Sequence, residues 1–447
     1  MDCPAQLATS GDCTMDSTAT QALTFTQITK LDGVLKRAVE INCQRNNFPA
    51  LMVTPVQMVK TIKEKLINNN IAVHNILLNG SAASYCIADD KQTTVHYKDL
   101  DLIFHVTIKG ERDFHFIREH VLQSLLDFFP EWYSTDQIST CALEDAYVHK
   151  QVKVNTGHPN GDRWSLISLH SDSLQSDSLD SENLCGLDFK FVDQMNRQYR
   201  FSTDSFQIFL DSYFQLEGLD CIQDGTVELK STFFPTVQAF SAYGNYSDAE
   251  FHLNNRLIRT KSPEEIRGGG LFKYCNLLTA QYKPYNSEEM DTQERTMCTR
   301  FFIDFSDPSR QSSELQKYFN FHYSYAEVTK GLYFLNYLLS VIRKSSIHVL
   351  DNSVRNNFEN MVMTLRTIHL YRNGLITIVP TTYRTHARKN SSGGYLQSPS
   401  TTQSNGVSYS YGVPARVSTP PGSYVTPISP FFITSAAVAS NSNSGNA

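Results

Sequence analysis

At 447 residues the chain is too long for one small core, and a hydrophobic content of 40% is enough to build two packed domains of ordinary size. A net charge of −6 excludes a protein whose whole surface grips nucleic acid, so any such contact must be a local basic groove. The opening MDCPAQLATSGDCTMDSTATQ lacks the basic start and apolar stretch of a secretory signal, and no run reaches bilayer-spanning length, so a soluble intracellular protein without membrane insertion is expected.

In chain order, residues 1–24 are rich in Ser, Thr and Ala and predict a disordered tail. A helix is predicted from Pro55, with Thr54 at the cap and Val56, Val59, Ile62 and Leu66 at helical spacing until the asparagines 68–70 stop it. Residues 71–78 and 98–106 read as strands, with a Gly80-Ser81 turn between them and Ala82-Ala83-Ser84 able to open a helix. A helix with Phe114, Ile117, Val121, Leu125 and Phe128 along one stripe follows, then strand-like runs at 147–154, 164–169, 187–192 and 198–203. The acidic, serine-rich stretch 170–186 has no apolar period and reads as a surface loop between two strands, an insertion and a candidate phosphorylation target. Phe206, Phe209, Leu210 and Tyr213 then predict a helix, with others at 248–259, 263–267, 271–279, 310–323, 331–344 and 354–371. The result is an α/β half (25–215), a mainly helical half (216–375), and a low-complexity tail (376–447) rich in Ser, Gly, Pro, Asn and Tyr that predicts disorder. A cleft between the halves is the natural ligand site. Nine cysteines without a CxxC pair read as reduced thiols, with no zinc site and no disulfide.

The chemistry centres on Asp99 and Asp101. Alternation puts both on one strand face while Leu100, Leu102, Phe104 and Val106 point to the other. Two like charges this close are costly unless a cation sits between them, and Mg²⁺, or Mn²⁺ in its place, prefers carboxylate and phosphate oxygens. An Asp-x-Asp pair also occurs on ordinary exposed strands, and a Gly-Ser alone is an ordinary strand-to-helix turn. Together they say more. Gly80 lets the backbone approach a ligand closely, and Ser81 with the first N–H groups of a following helix can hold a triphosphate. Further carboxylates downstream, Asp188 on a strand face, Asp193 at a strand end and Asp204 after the 198–203 strand, all stay open by pattern alone, Asp204 having a helix N-cap as its alternative.

The runs LNGSAAS, YKDLDLIF, DRWSLISL, FKFVD, FSTDSFQI and PEEIRGGGLFKYCNLL resemble the terminal nucleotidyltransferase 5 family of animal poly(A) polymerases, within the DNA polymerase β-type nucleotidyltransferase superfamily. The similarity spans residues 50–370; the Ser81-to-Asp99 gap is longer than the superfamily pattern and the 170–186 loop longer than the family's. The resemblance implies an α+β protein, a palm-like mixed sheet with flanking helices followed by a mainly helical domain across a cleft. It implies a template-independent enzyme that adds AMP from ATP to RNA 3′ ends, with cytoplasmic mRNA poly(A) as acceptor, while the reduced cysteines read as those of a cytosolic or nuclear protein. It selects Asp204 as the third carboxylate, so that Asp99 and Asp101 serve both metal ions and Asp204 the one that activates the hydroxyl. Gly80, Ser81 and Ser84 then fall to the nucleotide. Related enzymes draw a phosphate-binding lysine and a base-stacking aromatic from the helical domain, for which Lys273 and Tyr274 are the candidates. They follow Arg267-Gly268-Gly269-Gly270, which reads by itself as a tight interhelical turn needing positive φ.

For the RNA strand the candidates are Arg366, Arg372, Arg384, Arg388 and Lys389, a basic run interleaved with His369, Tyr371, Tyr383 and His386; its plainer reading is a charged helix end entering a tail. His105, on the Asp101 side of its strand, could touch substrate or be a hydrogen-bonded structural residue. The tails are candidate docking segments for protein partners. Two rival functions remain: a small-nucleotide synthase of the oligoadenylate or cyclic-dinucleotide type, and an inactive nucleotidyltransferase fold used as an interaction module.

Overall fold

The computed structural model describes residues 19–43, 48–89, 95–170, 186–196, 201–217, 234–261, 263, 267, 269–323, 327–346, 351–380 and 409–412. Most of the two expected tails, the interior of the acidic loop (171–185) and the predicted helix at 263–267, apart from its end residues, lie outside these.

In chain order the first ten strands are β1 (Thr20–Ala22), β2 (Val39–Ile41), β3 (Leu51–Val53), β4 (Val73–Asn79), β5 (Asp99–Val106), β6 (Val148–Asn155), β7 (Arg163–His170), β8 (Gly186–Gln194), β9 (Phe206–Phe209) and β10 (Gln238–Ser241). Eight of them form one sheet in the order β1-β10-β9-β4-β5-β8-β7-β6, with β2 and β3 paired apart. Every contact described in this sheet is antiparallel except β5 with β8, which is parallel. The helices α1 (Phe25–Lys36), α2 (Pro55–Asn68), α3 (Gly80–Ile87), α4 (Glu111–Ser124) and α5 (Thr140–Tyr147) share a core with one sheet face, into which Leu100, Leu102, Phe104, Leu187, Phe189 and Phe191 point. Alternation therefore sends Asp99 and Asp101 to the opposite face, as the sequence predicts.

The chain continues through α6 (Asp211–Glu217) and α7 (Tyr246–Asn254), whose Tyr213, Tyr246, Ala249 and Leu253 still belong to the first core, and then through α8 (Gly269–Thr279), α9 (Ser287–Asp304), α10 (Pro308–His322), α11 (Val328–Ser345) and α12 (Asn352–Arg372). A second core joins α8 to α12 through Leu271, Phe272, Phe301, Phe334 and Phe358. Phe201 belongs to this second core and Phe206 to the first, so the turn between them is where the chain passes from one core to the other.

That turn corrects two expectations. Described residues of the predicted 198–203 strand form no strand; Ser202–Asp204 is a 3-10 turn. The predicted helix on Phe206, Phe209, Leu210 and Tyr213 holds only for Tyr213; Phe206–Phe209 is instead strand β9, which pairs with both β4 and β10. Burial of Phe206, Gln207 and Ile208 alike erases the alternation that would mark a strand. The helix begins only at Asp211, whose carboxylate accepts from Ile76 N at 2.9 Å and pairs with Lys63 at 3.1 Å.

Three further differences matter less. The predicted 248–259 helix ends at Asn254, and a two-residue strand β11 (Leu257–Ile258) follows, pairing with β12 (Lys283–Pro284). α9 was not predicted: its inward residues Met290, Gln293, Glu294, Met297, Cys298 and Phe301 keep helical spacing, but two are polar and hide the stripe. In the C-terminal tail, where disorder was expected, β13 (Thr377–Pro380) and β14 (Tyr409–Gly412) pair antiparallel.

Candidate active site

Partners across a ladder share a face, so strand register decides which side chains meet Asp101. Asp101 pairs with Asp188 on the parallel side and with Asn79 on the antiparallel side. Asn79 in turn pairs with Gln207, and Asp188 with Ser168. A polar row therefore crosses five strands, Gln207-Asn79-Asp101-Asp188-Ser168, on the face away from the helices of the first core. Asp99 stands opposite Gly186, which has no side chain to fill the space beside it.

Gly80 begins α3 at φ +72°, in the left-handed region that glycine tolerates. A Cβ built there would overlap Asp101 Oδ2 and lie 3.5 Å from its Cγ. The turn thus packs its bare backbone directly against the carboxylate, and Ser81 follows half-buried at the second helical position. Ser84, expected at the nucleotide, is 2% exposed and donates its hydroxyl to Gly80 O at 3.2 Å, so it braces the turn from inside.

Of the three open carboxylates, Asp193 is committed elsewhere: it pairs with Arg163 at 2.9 Å and accepts from Ile108 N at 3.2 Å. Asp204 is 6% exposed in the 3-10 turn, is not on a strand, and is ion-paired with Lys273 from α8. Asp188 alone lies on a strand next to Asp101 and on its face.

The helical half supplies the facing wall. Lys98, just ahead of Asp99, donates to His322 O at 2.8 Å and pairs with Glu327 at 3.3 Å. The rings of Tyr318 and His322 pack tilted, centroids 4.1 Å apart, and burial, then neighbouring ionisable groups that include Asp99, raise the Tyr318 pKa. Burial, then the Lys98 and Lys273 charges, hold His322 down to about 3, so its ring is neutral near pH 7. Because the unfolded histidine titrates near 6.5, the unfolded chain binds more protons between these values; this stability is full above about pH 6.5 and is lost as pH falls through the window. His322→Gln should therefore flatten the drop in melting temperature between about pH 7 and pH 4.5, as read by thermal scans. Some slope should remain, since His105, His252 and His369 are also held low, chiefly by burial.

Several predicted residues stand elsewhere. Tyr274, a candidate for the base, is core: 1% exposed, stacked on Phe201, its hydroxyl donating to Glu294 at 2.7 Å. Lys273 is half-exposed on the adjoining surface of α8 beside Asp204, near enough for its charge to lower the pKa of His322. Gly269 and Gly270 have no positive φ and form the first residues of α8, so the expected left-handed turn is absent from them; Gly268 lies outside the described residues. His105 does share the Asp101 face, but roughly 13 Å along the strand. Arg366 and Arg372 lie on α12 about 120° apart around its axis, so they do not form one stripe. Arg384, Arg388 and Lys389 lie outside the described residues. His369 is buried, packs on Phe319 and bonds Val328 O at 3.2 Å.

Sequence reasoning passed over Lys98, Gln207, Tyr318 and His322. Gln207, a polar residue within the apolar run Phe-Gln-Ile-Phe, was the one legible signal among them.

Among the described residues no three His, Cys, Asp or Glu side chains converge as a pre-built cation cage. The carboxylates would thus hold an ion together with substrate phosphate oxygens, which is how Mg²⁺ is usually bound. The donor set, all hard oxygen, fits that ion.

The nucleotidyltransferase family profile matches residues 23–365. Terminal nucleotidyltransferase 5C of Homo sapiens is 42% identical over 349 residues, covering 78% of this chain and 84% of the relative. The chain belongs to the terminal nucleotidyltransferase 5 family. Its similarity extends to terminal nucleotidyltransferase 5B of Xenopus tropicalis, 40% identical over 333 residues, covering 74% of this chain and 79% of that protein. As a family member it is a nucleotidyltransferase, with the α+β architecture that the resemblance implies. No helix among the described residues is long and apolar enough to cross a membrane.

Proposed function

We propose that this terminal nucleotidyltransferase adds AMP from ATP to RNA 3′ ends, acting on cytoplasmic mRNA, with Asp99, Asp101 and Asp188 as its carboxylate set. The observation that carries the reading is the register of β5 and β8, which sets Asp188 beside Asp101 next to the bare backbone of Gly80. Asp204, selected by motif resemblance, is reassigned: its pairing with Lys273 supports a role in aiming that lysine at the distal phosphates.

In this scheme the α3 N–H groups and Ser81 bind the triphosphate, and the oxygen of the RNA 3′-hydroxyl attacks the α-phosphate. Asp188 takes the hydroxyl proton, a bond forms from the 3′ oxygen to phosphorus, and pyrophosphate leaves toward Lys273. Mg²⁺, or Mn²⁺ in its place, would be held by Asp99 and Asp101 together with oxygens of the bound triphosphate and, when bound, would stabilise the phosphoryl oxygens and lower the pKa of the attacking hydroxyl. The acceptor strand would run over the same sheet face, where Lys190 sits 4.6 Å over the ring of Trp164.

The test is extension of labelled oligo(A) RNA by purified protein with each nucleoside triphosphate alone, beside an Asp99→Ala, Asp101→Ala double variant. ATP-dependent ladders lost in the variant are expected. A folded, ATP-binding wild type that extends no RNA, or makes short soluble oligoadenylates from ATP alone, would replace this reading with the small-nucleotide synthase or the interaction module.

A further inference from the structure

Asparagine suits a helix N-cap because its side-chain oxygen can accept from a backbone N–H two or three residues on. Asn245 and Asn286 do this ahead of α7 and α9, accepting from Asp248 N and from Glu288 N and Glu289 N. Asn79 holds the same position ahead of α3, with suitable extended backbone at φ −132° and ψ 168°, yet its side chain makes no capping bond. Two things differ: Gly80 follows Asn79 at φ +72°, where Tyr246 and Ser287 follow the other two caps without positive φ, and Gln207 lies across the ladder from Asn79. Its Nε2 donates to Asn79 Oδ1 at 2.9 Å, in a pair whose members are only 3% and 8% exposed. The oxygen that would cap the helix is held from the neighbouring strand instead.

The first N–H groups of a helix have no partner within it, and in α3 these are the donors assigned above to the triphosphate. A carboxamide free to rotate into the cap would compete for them. We propose that Gln207 is a positioning residue: it holds the Asn79 side chain out of the cap and so keeps the α3 N-terminus open to the nucleotide's phosphates. This rests on the reading of α3 as the phosphate-binding element. Gln207 itself need not touch substrate, and it acts through Asn79.

The competition makes an unusual prediction for paired variants. In the full-length protein, Gln207→Leu frees Asn79 to cap α3, so affinity for α,β-methylene-ATP, measured by calorimetry, should fall about tenfold, the size of one capping hydrogen bond. KM for ATP should rise in parallel with kcat little changed, and the melting temperature should hold or increase. Asn79→Ala removes the competitor and should bind the analogue within about twofold of wild type. The double variant should return to the Asn79→Ala value, a rescue that a merely structural glutamine would not give. Gln207→Met serves as a second replacement should Leu disturb the strand.

A double variant no better than Gln207→Leu would overturn the proposal, as would an Asn79→Ala variant that loses as much affinity as Gln207→Leu, since Asn79 would then contact nucleotide itself. Wild type that extends RNA with ATP while these three variants all bind the analogue normally would sink the latch and leave the enzymatic reading standing. Wild type that binds no analogue at all would overturn both.

Discussion

Asp188→Asn will abolish RNA extension, lowering kcat by about 10³-fold or more, the scale of removing one member of a catalytic unit. Asp204→Asn will instead raise KM for ATP several-fold with a smaller change in kcat. The two carboxylates are distinguished by where the chain puts them. Asp188 stands beside Asp101 on a shared strand face, at a spacing set by backbone hydrogen bonds and therefore rigid. Asp204 sits in a 3-10 turn between the two cores and spends its charge on Lys273. Asn keeps the shape of either side chain, so steady-state kinetics on folded variants should report loss of charge alone. Should Asp204→Asn prove as inactive as Asp101→Asn while Asp188→Asn still extends RNA, the carboxylate assignment made here is reversed.

Gly80→Ala is the second substitution with a large expected effect. The backbone at φ +72° strains any side chain by about 1–3 kcal/mol, and the added methyl would displace the Asp101 carboxylate, with which it would overlap. Displacement of a reacting group by about 1 Å costs on the order of 10²-fold in rate, so extension should fall at least that far. The same change at Gly33 offers the control. It lies within α1, where an added Cβ meets nothing within 4 Å, and alanine is the better helix former there by roughly 0.5–1 kcal/mol. Gly33→Ala should leave extension rates unchanged and hold or raise the melting temperature. Comparable activity in the two variants would show that the Gly80 turn does not shape the site.

How far the site could be read from the sequence depended on the range of the interactions involved. Asp99 and Asp101 were legible because their strand alternates cleanly, with Leu100, Leu102 and Phe104 filling the core side. Gly80 was legible because a strand followed by Gly-Ser and small residues predicts its own turn. Asp188 was not separable from Asp193 and Asp204, since only the parallel register with β5, set by strand pairing between distant segments, distinguishes them. Motif resemblance selects Asp204, which lies in a 3-10 turn paired with Lys273, whereas the proposed carboxylate set takes Asp188 from the strand register. β9 was misread for a related reason: its burial pattern comes from neighbours on both sides, β4 and β10, which no local period can reveal. Tyr274 looked available because a tyrosine in a helix has two plausible environments; its buried bond to Glu294 decides for the core.

The parallel step also bears on how this chain can vary in length. β8 is held in register from both sides, by β5 and by β7, so the position of Asp188 does not depend on what joins β7 to β8. Closure entropy grows only logarithmically, about 0.6 kcal/mol for each doubling of a flexible loop. The connection from His170 to Gly186 therefore joins two strands whose register is already set, a natural graft point at which a change of length leaves the pairing of Asp188 with Asp101 in place.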